Sequence, residues 1–131
     1  MRKVDKKLKN FISDCIDEAC HNIKLEHYWI STLYMKDESQ FDDGKIVAAS
    51  MTTDRRYLKA TLKIFLHVED MWKRGEKEEI QEIIHHEIAH IATQHLMDCA
   101  QARYCETGEM KDAWETLTEV VGRLSIRLQR K

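Results

Sequence analysis

Hydrophobic and polar positions alternate with two different periods along this chain. From residue 3 to 23 the apolar side chains Val4, Leu8, Phe11, Ile12, Cys15, Ile16, Ala19 and Ile23 fall three or four apart, the stripe of an amphipathic helix. The period then changes. Residues 27–35 (HYWISTLYM) are aromatic and β-branched, which suits a strand. Asp43-Gly44 is a turn signal, and residues 45–53 (KIVAASMTT) read as a second strand. Asp54-Arg55-Arg56 interrupts. Over 57–66 the alternation is strict: Leu58, Ala60, Leu62, Ile64 and Leu66 face one way, Tyr57, Lys59, Thr61 and Lys63 the other. That pattern predicts a half-buried strand of an antiparallel meander.

A connector from His67 to Gly75 leads back to helical spacing. In residues 78–105, Ile80, Ile83, Ile84, Ile88, Ile91 and Leu96 recur at helical spacing, with Glu76, Glu78 and Glu79 where a helix N-terminus favours negative charge. A turn at Glu106-Thr107-Gly108 precedes a last helix from Met110. There Trp114, Leu117, Val121, Leu124 and Leu128 alternate spacings of three and four and predict one packing seam. Gly122 and Ser125 would permit close approach of a second helix. The order is helix, three strands, helix, helix. The expected fold is α+β, a single domain over residues 1–131 with helices packed on a three-stranded antiparallel sheet.

Composition narrows the function classes. The chain has 131 residues and a net charge of -2, with its basic residues scattered. A nucleic-acid binder would show a basic stripe; the basic end of the last helix (Arg123, Arg127, Arg130, Lys131) suits a helix C-terminus equally well. No apolar run approaches membrane-spanning length. The charged start MRKVDKKLKN has no apolar signal core behind it, so a cytoplasmic protein is expected. Of the 4 cysteines (Cys15, Cys20, Cys99, Cys105) none forms a C-x-x-C pair, and packed, reduced thiols are expected.

The chemistry lies in His86-Glu87-Ile88-Ala89-His90. On a helix, residues four apart lie about 40° apart around the axis, so His86 and His90 can address one tetrahedral metal. Glu87 flanks them, placed to take a proton from a water at that metal. A catalytic zinc takes three protein ligands. His95 cannot supply the third, because nine residues beyond His86 it faces the other way. The upstream histidines His21, His27 and His67 remain open, as do two glutamates on the final helix, Glu115 and Glu119. The helical wheel slightly prefers Glu115.

With its H-E-x-x-H helix and a glutamate-bearing helix after it, the chain resembles the zincin metallopeptidases. It is most similar to the glutamate-zincins in their smallest single-domain form (minigluzincin-like), as found in phage and bacteria. The run Glu119-Val120-Val121-Gly122-Arg123-Leu124 carries the second part of the likeness. Metzincins differ, since Thr93 and Leu96 stand where they have Gly and His. SprT-like proteases differ because their third ligand is a later histidine. The resemblance implies Zn2+ on His86, His90 and Glu119, with Glu115 as the alternate, and Glu87 as general base in peptide-bond hydrolysis. It implies a protein or peptide substrate paired along an edge strand, expected at 57–66, and in some small members an accessory partner. Tyr104 and His67 are candidate oxyanion donors. The rival expectations are a non-catalytic, metal-stabilised regulatory or interaction domain and a nucleic-acid-associated factor. Glu87 argues against the first, because a structural zinc needs no base beside its ligands.

Overall fold

In a computed structural model, residues 3–35, 41–42, 45–54, 57–101 and 107–130 are described. Among these the elements run α1 (Lys6–Asn22), β1 (Trp29–Tyr34), β2 (Phe41–Asp42), β3 (Lys45–Ile46), β4 (Ala49–Asp54), β5 (Lys59–Ile64), α2 (Leu66–Lys73), α3 (Lys77–Gln101) and α4 (Thr107–Arg130). The fold is α+β. Asp43-Gly44, Tyr104, Cys105 and Glu106, with the side chains of His95, Leu96, Cys99 and Leu128, lie outside the described residues.

α1 starts at Asp5, whose side chain accepts a hydrogen bond from the Lys7 amide at 2.9 Å, satisfying one of the donors a helix start leaves open. It stops in a six-to-one turn: the Leu25 amide donates to Cys20 carbonyl at 2.8 Å and the Lys24 amide to His21 carbonyl at 3.4 Å. Lys24 takes φ 61° to make that turn. α2 ends the same way. The Glu76 amide donates to Met71 carbonyl at 3.0 Å, and the left-handed position is Gly75, φ 77°. Only the second helix has the residue that this turn favours.

The sheet order is β1-β5-β4. β4 and β5 pair antiparallel, Ala49 opposite Ile64 and Asp54 opposite Lys59, as the alternating pattern predicts. β1 pairs with β5 in parallel, Trp29 opposite Lys59 and Tyr34 opposite Ile64, so the sheet is mixed rather than an antiparallel meander. Parallel neighbours need a long crossover, and residues 35–58 supply it. They carry the short β2–β3 ribbon and then β4. The third strand, expected at an edge, is therefore the centre, and β4 is the edge beside the helices. Residue 58 lies outside it: Leu58 turns at φ 54° and is exposed. The expected connector after β5 is largely helical, since Leu66–Lys73 forms α2.

One core joins these parts. Leu8, Ile12, Cys15, Ile16 and Ala19 of α1 meet Ala60, Leu62 and Ile64 of β5 and Ile80, Ile84, Ile88 and Ile91 of α3. The isoleucine stripe of α3 is thus its core-facing side. α4 does not follow its pattern. Among its described side chains the buried ones are Thr118, Gly122, Ser125 and Ile126, while Leu117 and Leu124 of the expected seam are exposed. Small side chains win because they let two backbones approach. A Cβ built on Gly122 would stand 3.2 Å from the Cα of His86 and 3.3 Å from its nitrogen.

Candidate metal centre

The close α3–α4 contact brings histidines from one helix against carboxylates from the other. Three polar links hold the helices in register. Ser125 Oγ lies 2.8 Å from Nδ1 of buried His85. Thr93 and Thr118 hydroxyls are 2.8 Å apart. The Trp114 indole donates to Thr93 Oγ1 at 2.7 Å, while its ring packs on His90 with centroids 4.6 Å apart. Burial drives the His85 imidazole down to about 4; its Nδ1 is taken up by Ser125, and its Nε2 is buried with no hydrogen-bond partner. Asn22 at the end of α1 donates to Ser125 carbonyl at 2.7 Å and ties a third helix to the pair.

Within this frame Glu115 spans both histidines of the motif. Its Oε2 is 3.3 Å from His86 Nε2 and its Oε1 is 3.4 Å from His90 Nε2. Glu119, one turn further along α4, meets the other nitrogen of the first ring: its Oε2 is 2.7 Å from His86 Nδ1. Arg123, a turn beyond, donates Nε–H to Glu119 Oε1 at 3.0 Å. Among the described residues, the group whose ligand atoms converge is His86, His90 and Glu115, all within 4.8 Å of one another. Glu119 is not in it. The structure thus brings the wheel's preference, Glu115, to the Nε2 atoms, and the glutamate favoured by the motif likeness to the back of His86. The sequence signal for this division was the spacing Glu115-x-x-x-Glu119 on the same side as Gly122.

Two of the upstream histidines are elsewhere. His21 Nδ1 lies 3.6 Å from Glu26 at the surface, and His27 packs on Tyr28. His67 lines the cleft described below.

Two imidazole nitrogens and a carboxylate oxygen are a donor set that suits a divalent metal of zinc type. The state of the rings agrees with it. Burial, against the pull of Glu115 and with the help of His86, holds the His90 pKa below the ordinary histidine value, which leaves a nitrogen lone pair free to bind. His86 has its rear nitrogen paired with a carboxylate, as ligating histidines commonly do. His90 does not: its Nδ1 is buried and has no hydrogen-bond partner. The Glu119 carboxyl is raised by desolvation, but hydrogen bonds from Arg123 and His86 outweigh that and hold it below the usual range. Glu87 goes the other way. Burial first, and the charge of Glu115 second, push it up to about 8.

A cleft of about 560 Å³ opens onto His86, Glu87 and Glu119. Its far wall is Val47, Ala48 and Ala49, entering β4, with His67 and Met71 of α2 beside them and Glu79, Glu82 and Ile83 of α3 along the floor. The Ala48 carbonyl accepts from the Phe65 amide at 3.0 Å, so Ala48 faces inward to the sheet. Alternation then turns the main-chain groups of Ala49 and Met51 toward the open edge. No helix among the described residues is long and apolar enough to cross a membrane.

No family model, curated protein or solved structure matches this chain.

Proposed function

We propose that this protein is a metal-dependent peptidase that hydrolyses a peptide bond in a protein or peptide substrate. One observation carries the reading: Glu115 faces Nε2 of both His86 and His90, 3.3 and 3.4 Å away, with Glu87 between them in sequence and a cleft at their side. His86, His90 and Glu115 would hold the ion, and their mixed nitrogen and oxygen donors favour Zn2+. When bound, the metal supplies Lewis acidity toward a carbonyl and a more acidic water.

The rest is done by the chain. Glu119 accepts the Nδ1 proton of His86, which selects the tautomer whose Nε2 is free and aims it at Glu115. Arg123 keeps Glu119 ionised for that task. Glu87, which lines the cleft beside the two histidines, would take a proton from the attacking water and deliver it to the leaving amine. The open edge of β4 can pair with an extended substrate, and the cleft between β4 and α3 can receive its side chains. The strand expected to do this, 57–66, is enclosed on both sides, so the role passes to β4. His67 lines that cleft and stays the candidate oxyanion donor; Tyr104 lies outside the described residues. We place the activity in the cytoplasm, where the buried free thiols Cys15 and Cys20 are at home.

The test is metal content of the purified protein beside His86→Ala, followed by cleavage of a mixed peptide library beside Glu87→Gln. Stoichiometric zinc lost in the first variant, and cleavage lost with zinc kept in the second, are the expected results. Zinc without any cleavage by the wild type would instead make this a metal-stabilised interaction domain.

A further inference from the structure

α4 has an apolar ridge on the face turned away from α3. Leu117, Val120 and Leu124 are 37%, 49% and 49% exposed. Spaced at i, i+3 and i+7, they form one continuous stripe. The other face of the helix is already used by Thr118, Gly122 and Ser125, so the ridge is left exposed among the described residues.

The ridge is close to palindromic. Leu117 and Leu124 lie at equal distances on either side of the Val120–Val121 step. Its ends carry opposite charges on one flank, Asp112 before the ridge and Arg127 after it, and both are exposed. We propose that this face binds the same face of a second copy of this chain, the two α4 helices running antiparallel about a twofold axis near Val120. Leu117 then packs on Leu124 of the partner subunit, and Val120 on the partner's Val120. In an antiparallel helix pair residues on the same flank meet, so Asp112 lies beside the partner's Arg127, and symmetry repeats the contact at the other end. A parallel pair would place the two charged flanks on opposite sides of the seam and leave Asp112 and Arg127 without this contact. A foreign helix would need an acid and a base at matching positions, whereas this chain carries both in the required order.

The contact is modest. A helix pair of this length buries roughly 1,000 Å² in total, the small end of specific interfaces, so the dimer belongs in the micromolar range. The proposal does not depend on the peptidase reading. It does have a bearing on the site, because the same helix presents Glu115 and Glu119 from its opposite face.

Sedimentation velocity of the full chain over the micromolar range tests it. The wild type should shift from monomer to dimer with concentration. Val120→Glu should stay monomeric with an unchanged circular-dichroism spectrum. Asp112→Arg alone should raise the dimer dissociation constant about tenfold, through two new like-charge contacts. Asp112→Arg with Arg127→Asp should restore it. A wild type that is monomeric throughout, a Val120→Glu variant that still dimerises, or a double variant no better than the single one would each overturn the proposal.

Discussion

Glu119 holds His86 from behind, its Oε2 2.7 Å from Nδ1, while Glu115 meets the same ring from the front at 3.3 Å. The two glutamates are one helical turn apart and do different work, and this division can be tested by substitution.

Metal binding should rank the four side chains. His86→Ala, His90→Ala and Glu115→Ala should each abolish stoichiometric zinc, read by metal analysis after dialysis. Glu119→Ala should keep the metal but weaken it by about 10–100-fold in a chelator competition, the usual cost of losing a carboxylate behind a ligating histidine. If Glu119→Ala loses more than Glu115→Ala, the assignment of the two must be exchanged. Zinc should also raise the melting temperature of the wild type, because a ligand of the folded state stabilises it.

Glu87→Gln preserves shape and removes the base. Zinc content should be unchanged while peptide cleavage falls by about 10²–10⁴-fold. Cleavage at the wild-type rate would exclude Glu87 from the chemistry.

Gly122→Ala tests the helix contact. Alanine gains about 1 kcal/mol of helix propensity over glycine. Its Cβ, however, would press on the His86 backbone at 3.2 Å, and overpacking of this kind costs about 1–3 kcal/mol. The expected result is a lower melting temperature together with weaker zinc binding, since His86 must move. A variant that melts higher than the wild type would show that the contact yields easily.

The sequence made α3 plain and left its neighbour obscure. Ile80, Ile84 and Ile88 are fully buried, as their spacing says, because α3 packs its apolar stripe on the core in the ordinary way. The wheel of α4 misleads because it assumes the same rule. That helix docks through Thr118, Gly122 and Ser125, where hydrogen bonds to α3 and close backbone approach replace aliphatic packing, and its leucines point outward. Glu115 and Glu119 could not be told apart by motif likeness, because which one reaches Nε2 depends on the rotation of α4 about its axis, and the small residues set that rotation. The strands were legible from alternation. Their partners were not: alternation records which side is buried and carries nothing about which strand lies next to which, so the parallel β1–β5 ladder and the open edge of β4 had to be seen.

The left-handed turn at Lys24 offers a stability test far from the site. Lys24→Gly removes a side chain from φ 61°, a conformation costing a non-glycine residue about 1 kcal/mol. The variant should melt a few degrees higher with unchanged zinc content. No gain would mean that the extra freedom of glycine in the unfolded chain cancels the relief.

Cys15 and Cys20 should be unreactive. Burial first, then Glu18 and Asp14, push the Cys15 thiol from its ordinary 9.0 to about 12; burial, Asp17 and Glu26 push Cys20 to about 11. Both should resist a thiol reagent near pH 8 and react on denaturation. Because the folded state keeps these protons more tightly than the unfolded chain, their contribution to stability is whole below the ordinary pKa of 9.0 and is lost as pH climbs through about 11 and 12. Rapid labelling of both in the native protein would contradict their burial.

The helix contact at Gly122 also has a meaning in time. His86, Glu87 and His90 are made in the middle of the chain, and the carboxylates that face them arrive with the last helix. During synthesis the earlier segments can begin to fold as they emerge, but a half-made chain has two histidines with no glutamate across from them. On the metal reading, the ion-binding set closes only when α4 has left the ribosome and seated against the His86 backbone. On the peptidase reading, a nascent chain is therefore inert toward itself and its neighbours until α4 is seated on α3.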